Sequence, residues 1–360
     1  MAAADQSEAL AAQVRAAAES GTALHIIGGN TKAFYGNPTE GEPLETLGHR
    51  GIVNYEPTEL VLTARAGTPL GEIEAALAEQ GQALAFEPPS FGEHSSIGGV
   101  IAAGLSGPSR PYAGSARDMV LGLRLLNGKG EIMRFGGEVM KNVAGYDVSR
   151  LNVGALGTLG VILEVSLKVL PAPAVSATMK FDMPVAECHR QSESWLRAGR
   201  PLSALLHDGK ALYARFSGTH SAIADATGQL SGEVIEQPAA DALWASVRNH
   251  THTFFKDRSM PVWRASLPPG SDLEQILPGD ERLVEWSGQQ LWLKSEAPAA
   301  QLRAEAAAAG GSITRFYGDN PETEGVFQPL DAIQTRLHRS LKQAFDPKGI
   351  FNPGRLYPGL

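Results

Sequence analysis

The clustering of glycine constrains this chain more than any other feature. Residues 1–170 hold 25 of its 40 glycines, residues 171–360 hold 15, and 15 lie between Gly92 and Gly160. Without a Cβ, such segments can turn tightly and let other groups approach the main chain closely. No Gly-x-y period accompanies them, and 43% of the chain is hydrophobic against 19% charged, so collagen-like and disordered readings both fail. The chain is globular, with a first half suited to close backbone approach.

The 360 residues suggest two domains. A net charge of −8 and the lack of a Lys/Arg run argue against a nucleic-acid or anionic-membrane surface and favour small molecules or proteins as partners. Cys188 is the single cysteine, so there is no internal disulfide and too few thiolates for an iron–sulfur cluster or a cysteine zinc site. Any such cluster belongs to another polypeptide. The N-terminus has acidic Asp5 and Glu8 and no basic residue before Arg15, unlike a secretory signal. The apolar stretches 97–105 and 153–163 are broken by glycine and fall short of the ~20 residues of a membrane span, so a soluble cytoplasmic protein is expected.

Periodicity predicts a helix over 8–19 stopped by Gly21, a strand over 23–27, and a strand over 58–65. Thr68-Pro69 then opens a helix, with the cap first and proline at the first helical position. Residues 119–126 and 131–135 flank a turn as a hairpin, and 161–170 forms a strand ending at Pro171-Ala172-Pro173. The glycine content drops there, marking a domain boundary. The second region has strands over 211–216, 261–267 and 289–294 and helices over 185–198 and 298–309, which suggests an antiparallel sheet covered by helices. A last helix over 331–345 leads to a turn-rich tail carrying Ile350 and Phe351.

The turn Gly28-Gly29-Asn30-Thr31-Lys32 after a strand could aim several N–H groups at a phosphate, or be an ordinary glycine turn. Neither G-x-G-x-x-G nor G-x-x-x-x-G-K-[ST] is present, so a nicotinamide Rossmann site and a P-loop lack support. Small residues fill eight of the ten positions from Ser95 to Gly104, counting Val100. That suits a bulky ligand on the backbone, with close helix-to-strand packing as the alternative. The loops from Tyr112 to Asp118 and Lys141-Asn142-Val143-Ala144-Gly145-Tyr146-Asp147 are small and polar, and Gly157-Thr158-Leu159-Gly160-Val161-Ile162 is a glycine-lined entry into a strand.

On these motifs the first half resembles the FAD-binding domain of the vanillyl-alcohol oxidase and p-cresol methylhydroxylase (PCMH-type) superfamily, and Asn352-Pro353-Gly354-Arg355 resembles its closing motif. The phrases Gly28 to Phe34, Lys141 to Asp147 and Val262-Trp263-Arg264-Ala265-Ser266-Leu267-Pro268 are most similar to the family of FAD-binding (E-type) subunits of bacterial glycolate oxidase, shortened relatives of D-2-hydroxy acid dehydrogenases. The resemblance implies an α+β fold, with a two-part PCMH-type FAD-binding domain over 1–173 and an antiparallel-sheet α+β cap domain over 174–330. Residues 331–360 would return to the first domain. It implies non-covalent FAD held by Gly28, Gly29, Asn30, Thr31, Lys32, Ser96, Ile97, Gly98, Gly99, Gly104, Gly107, Gly114, Gly157 and Gly160, with Val161, Ile162 and Asn352. The partners it implies are a related FAD-binding catalytic subunit and an iron–sulfur subunit, oxidising a small 2-hydroxy acid, glycolate, to glyoxylate. The complex would stand at most peripherally on the inner membrane. The alternatives are a stand-alone FAD-dependent D-2-hydroxy acid dehydrogenase and a flavin-free structural subunit.

Departures from the family pattern bear on chemistry. Ile27 stands where many relatives have arginine before the loop glycines, and the residues that carry covalent flavin in other members are absent. The histidine-rich motif that supplies metal and base in catalytic relatives corresponds to 315–320, which has no histidine, so the catalytic residue is left unassigned. His250-Thr251-His252 would place two imidazoles on one strand face, too few for a metal site, and no metal is expected. Arg264 could pair with a substrate carboxylate, His94 and His338 could face the flavin, and Lys141 could lie near it; for the first three, surface or structural roles compete.

Overall fold

The computed structural model describes residues 4–137, 147–279, 281–318 and 325–360. Lys141 and the rest of 141–146 lie outside the described residues, as do Asp319 and Asn320. The chain divides into two compact units: Met1–Leu105 with Ser115–Pro171 and Pro329–Leu360, and Ser106–Gly114 with Ala172–Gln328.

In the first unit, the helix Ser7–Ser20 buries Leu10, Ala11, Val14 and Ala17, a single stripe at helical spacing, and ends where Gly21 turns left-handed at φ 72°. That stripe packs on Leu24, Leu44, Leu163, Ile350 and Phe351. A five-stranded antiparallel sheet runs in the order Ile52–Glu56, Val61–Arg65, Val161–Lys168, Val120–Leu126, Ile132–Gly136. Its middle strand is buried from Val161 through Leu167, as expected of a strand covered on both faces. The strand expected over 58–65 begins later, because Pro57–Glu59 is a 3-10 turn and Leu60 is left-handed at φ 57°. The helix Leu70–Glu79 also starts late, with Pro69 in the cap position. Thr68 does not cap it: its hydroxyl accepts from Gly51 N–H and donates to the Arg65 carbonyl.

A second, parallel pair joins Leu24–Ile27 to Glu42–Glu45, and on its other edge Leu24 bridges Phe351 of the tail, also in parallel. The small-residue stretch forms the helix Ile97–Ala103, capped by Ser96 and closed by Gly104.

The second unit is an eight-stranded sheet, antiparallel throughout, in the order Glu233–Ile235, Val175–Phe181, Leu212–Gly218, Leu202–His207, Glu281–Glu285, Gln290–Lys294, Val262–Ser266, Ser312–Tyr317. Alternation sorts its faces. Leu291 and Leu293 share a core with Ala299, Leu302 and Ala306 of the helix Ala299–Ala308, while Trp292 between them meets His250, Phe255 and Phe316.

Candidate functional site

The strand Leu24–Ile27 runs into Gly28-Gly29-Asn30-Thr31-Lys32, and a cleft of about 90 Å³ opens at this turn within the first unit. One wall is the chain from Ile27 to Ala33. The other is Ser96, Gly99, Ala102 and Ala103, small residues whose spacing puts them on one side of the helix Ile97–Ala103. His25, Leu156, Asn352 and Arg355 complete the lining.

The glycine turn is close-packed against residues 94–96. A Cβ on Gly29 would lie 1.5 Å from the His94 carbonyl oxygen, and one on Gly28 would lie 2.6 Å from Ser96 Oγ. Asn30 takes φ 56°, a left-handed conformation that asparagine tolerates. The amides of Gly28, Gly29, Asn30 and Thr31 donate to no acceptor among the described residues. Successive N–H groups on a turn that passes through the left-handed region form a concavity for an anion, and phosphate oxygens suit it. Ser96 shapes the facing wall, its Oγ accepting from Gly99 N–H at 3.4 Å. Lys32 braces the turn: its Nζ donates to Ser95 Oγ at 2.8 Å, to the Ser90 carbonyl at 3.2 Å and to Thr31 Oγ1 at 3.3 Å.

The structure thus brings Gly28, Gly29, Asn30, Thr31, Lys32, Ser96, Gly99 and Asn352 to one cleft. The other sequence-derived candidates lie elsewhere in the fold. Gly98 packs the helix on the turn after the strand Val61–Arg65, with its N–H on the Ala66 carbonyl at 2.8 Å and any Cβ only 2.6 Å from that of Ala66. Ile97 and Ile162 are in the core of the sheet, and Val161 is in the core beneath the helix Ser7–Ser20. Gly104 closes its helix against Gly154, Gly160 abuts Leu125, and Gly157 abuts the Asn352 side chain. Gly107 and Gly114 belong to the second unit, where the Gly107 carbonyl accepts from Trp286 Nε1 at 3.1 Å.

The histidine pair is not on a strand. His250 sits in a turn at φ 54°, stacked on Phe255 with ring centroids 4.0 Å apart, and its Nδ1 meets the Tyr317 hydroxyl at 3.1 Å. Loss of solvent, reinforced by Arg264 and Arg258, holds its pKa well below the usual imidazole value. His252 instead caps the short helix Thr253–Lys256. Arg264 lies over the Phe316 ring, His338 packs edge-on to Tyr357, and no cluster of metal-ligating side chains occurs among the described residues.

Sequence reasoning missed His25 and Arg355 in the cleft. Arg355 stands in the closing motif, but its partners are carbonyls at the other end of the chain, which no local pattern reveals. Burial, then the charge of Arg355, lowers the pKa of His25.

Two family models match the chain: one described as an FAD binding domain over residues 1–136, the other as the C-terminal domain of FAD linked oxidases over residues 284–356. The chain is 46% identical over 358 residues to the glycolate oxidase subunit GlcE of Escherichia coli (strain K12), covering 99% of each. It is 27% identical to the D-2-hydroxyglutarate dehydrogenase of Xanthomonas citri pv. viticola, over 85% of this chain and 77% of that one. With the glycolate oxidase subunit GlcD of Bacillus subtilis (strain 168) it shares 34% identity over 44% of this chain and 33% of that one. A solved structure of alkyldihydroxyacetonephosphate synthase superposes with a TM-score of 0.68 at 16% identity, over 96% of this chain and 74% of that chain, which is a likeness of fold. This chain therefore belongs to the FAD-linked oxidase family, together with the Escherichia coli glycolate oxidase subunit GlcE.

Proposed function

We propose that this chain is the FAD-binding subunit of a glycolate oxidase (glycolate dehydrogenase) complex that oxidises glycolate to glyoxylate, with an iron–sulfur subunit as electron acceptor. The observation that carries this reading is the 46% identity to the Escherichia coli subunit across 99% of both chains. Two observations support the cofactor: the amides of Gly28, Gly29, Asn30 and Thr31, residues of the cleft lining, donate to no acceptor among the described residues, and Gly29 sits where a Cβ would collide with the His94 carbonyl. In this reading the unit containing the cleft is the FAD domain, closed by the returning C-terminal segment, and the eight-stranded unit is the cap.

Two-electron oxidoreduction is the chemistry that FAD supplies when bound. The chain's own residues bind and orient. The amides of Gly28 to Thr31 would receive the pyrophosphate, Lys32 stiffens their turn, and the Ser96, Gly99, Ala102 and Ala103 face would let a long ligand lie against the main chain. Val161 and Ile162 support these walls from the core. The stretch 315–320 has no histidine to take a hydroxyl proton, and His250 is engaged with Tyr317. That supports a division of labour in which the proton-abstracting base is on a related catalytic subunit.

No described helix is long and apolar enough to cross a membrane. The reading puts the chain in the cytoplasm, reaching the inner membrane only through its complex. The test is the visible spectrum and glycolate:dye activity of the purified chain, alone and with its partner subunits. The expected result is a yellow protein that releases FAD on acid denaturation and supports turnover only in the complex. Turnover by the chain alone would favour a stand-alone dehydrogenase, the reading that the 27% identity to D-2-hydroxyglutarate dehydrogenase supports. A colourless chain that stays colourless after incubation with FAD would leave only a structural role.

A further inference from the structure

The C-terminal tail is built into the cleft wall. Leu24 N–H donates to the Ile350 carbonyl at 2.7 Å and Asn352 N–H to the Leu24 carbonyl at 3.0 Å, so the tail runs as a parallel edge beside Leu24–Ile27. A side chain makes the next rung. Asn352 Oδ1 accepts from Ile26 N–H at 2.8 Å, and its Nδ2 donates to the Leu156 carbonyl at 2.7 Å. Upstream, Asp346 anchors the tail by accepting from the amides of Ile350 and Phe351 and from Lys342 Nζ.

Beyond Asn352 the chain wraps the loop that follows the glycine turn. The guanidinium of Arg355 donates to three consecutive odd-numbered carbonyls of that loop: Ala33 at 2.7 Å, Tyr35 at 2.8 Å and Asn37 at 2.9 Å. Asn37 N–H returns a bond to the Arg355 carbonyl at 2.9 Å. Three carbonyls converging on one planar cation hold the loop in a single curl, because a guanidinium presents its five N–H groups in fixed directions. The curl begins at Ala33, one residue past Lys32, so its position sets that of the amides at 28–31.

We infer that Arg355 is a positioning residue for the cofactor: it holds the Gly28 to Thr31 amides in their anion-receiving arrangement before FAD arrives. This inference rests on the proposed FAD-binding reading and adds to it a residue 322 positions from Ala33. A loop ordered in advance does not have to be ordered on binding, so affinity rises without a new contact to the ligand. The coupling is reciprocal, and bound FAD must in turn hold the tail in place.

The test uses the full chain with Arg355→Ala, Arg355→Lys and, as a control, Arg339→Ala at an exposed position of the helix Ala332–Phe345. FAD affinity is read by quenching of flavin fluorescence, and amide exchange is followed by mass spectrometry without FAD. Arg355→Ala is expected to weaken FAD at least tenfold and to speed exchange across 28–37, leaving the strand Val161–Lys168 of the same unit at the wild-type rate. Arg355→Lys, with a point charge in place of the planar fork, is expected to fall between, and Arg339→Ala to match the wild type. An Arg355→Ala affinity within twofold of wild type overturns the inference, as does equal acceleration of the Val161–Lys168 amides, which signals general loss of fold. Wild-type protein that binds no FAD sinks the functional reading instead; the exchange at 28–37 still decides whether Arg355 positions the turn.

Discussion

Gly98 and Gly99 are neighbours in one helix, yet a methyl group would act on them in different ways. At Gly98 it would press within 2.6 Å of the Ala66 Cβ and 2.9 Å of the Ala66 carbonyl, both part of the packed interior. At Gly99 it would meet only Ser96 Oγ, at 3.3 Å, and project into the cleft. Gly98→Ala is therefore expected to cost about 1–3 kcal/mol of stability through overpacking, seen as a lower thermal midpoint of the FAD-free chain. Gly99→Ala is expected to keep that midpoint and lose FAD affinity in a titration. The reverse pattern would exchange the two roles. Gly29→Ala should abolish FAD retention, since a Cβ 1.5 Å from the His94 carbonyl forces the turn out of place; flavin content equal to wild type would show that this turn is not the anion site. From sequence both glycines of the Ser-Ile-Gly-Gly stretch looked equally like cofactor contacts. Which one faces the ligand depends on the rotation of the helix about its axis, and Ala66, in the turn after the strand Val61–Arg65, sets that rotation.

Among the elements, the five-stranded sheet carries a charged row across four strands. The pairing register sets Arg65 opposite Glu164, Glu164 opposite Arg124, and Arg124 opposite Arg134. Glu164, with 8% of its side chain exposed, answers Arg124 at 3.0 Å and Arg134 at 3.7 Å, and Asp5 reaches Arg65 and Arg124 from the N-terminal segment. Removing the Glu164 charge takes away the carboxylate between Arg65 and Arg124 and leaves Asp5 to answer both of them. Glu164→Gln is expected to lower stability by about 1–3 kcal/mol, below the figure for a wholly buried pair because Arg134 is exposed. A urea midpoint at the wild-type value would contradict this, and FAD affinity should be unchanged. Alternation and turn residues made most elements legible: the helices Ser7–Ser20, Ala299–Ala308 and Ala332–Phe345 and the hairpin strands stand close to where the pattern put them. The failures have local causes. The Thr68 hydroxyl is drawn to Gly51 and Arg65, which leaves Pro69 in the cap position, and His250 leaves strand geometry to stack on Phe255.

At the scale of the whole molecule, the histidines with shifted titration all move in one direction. Burial is the leading cause that depresses the pKa of His25, His49, His250, His252 and His338 below the ordinary 6.5. Each imidazole is then neutral in the folded chain where its unfolded counterpart binds a proton. The unfolded state takes up more protons below pH 6.5, so this stability is present above that pH and is lost as pH falls through the folded values. Asp5 extends the same sign to lower pH: hydrogen bonds from Ser7, then His49 and Arg65, hold its pKa at about 2, so its contribution is lost as pH falls from near 4. The urea midpoint of the FAD-free chain is expected to be higher at pH 7.5 than at pH 5.5; a flat or inverted profile would contradict it. The sequence by itself determined that the first half is glycine-rich along several segments suited to close backbone approach, that a turn with clustered amides follows the first strand, and that the second region is an antiparallel α+β unit. These follow from near-neighbour sterics and from side-chain alternation, which act over a few residues and leave their mark in local order. Only the tertiary structure decided which small residues face the cleft and which pack behind it, and that Arg355 curls a loop at the opposite end of the chain. Those outcomes depend on carbonyls and side chains brought together from distant parts of the chain, Arg355 and Ala33 across 322 positions, and main-chain oxygens, identical in every residue, give the sequence nothing to show.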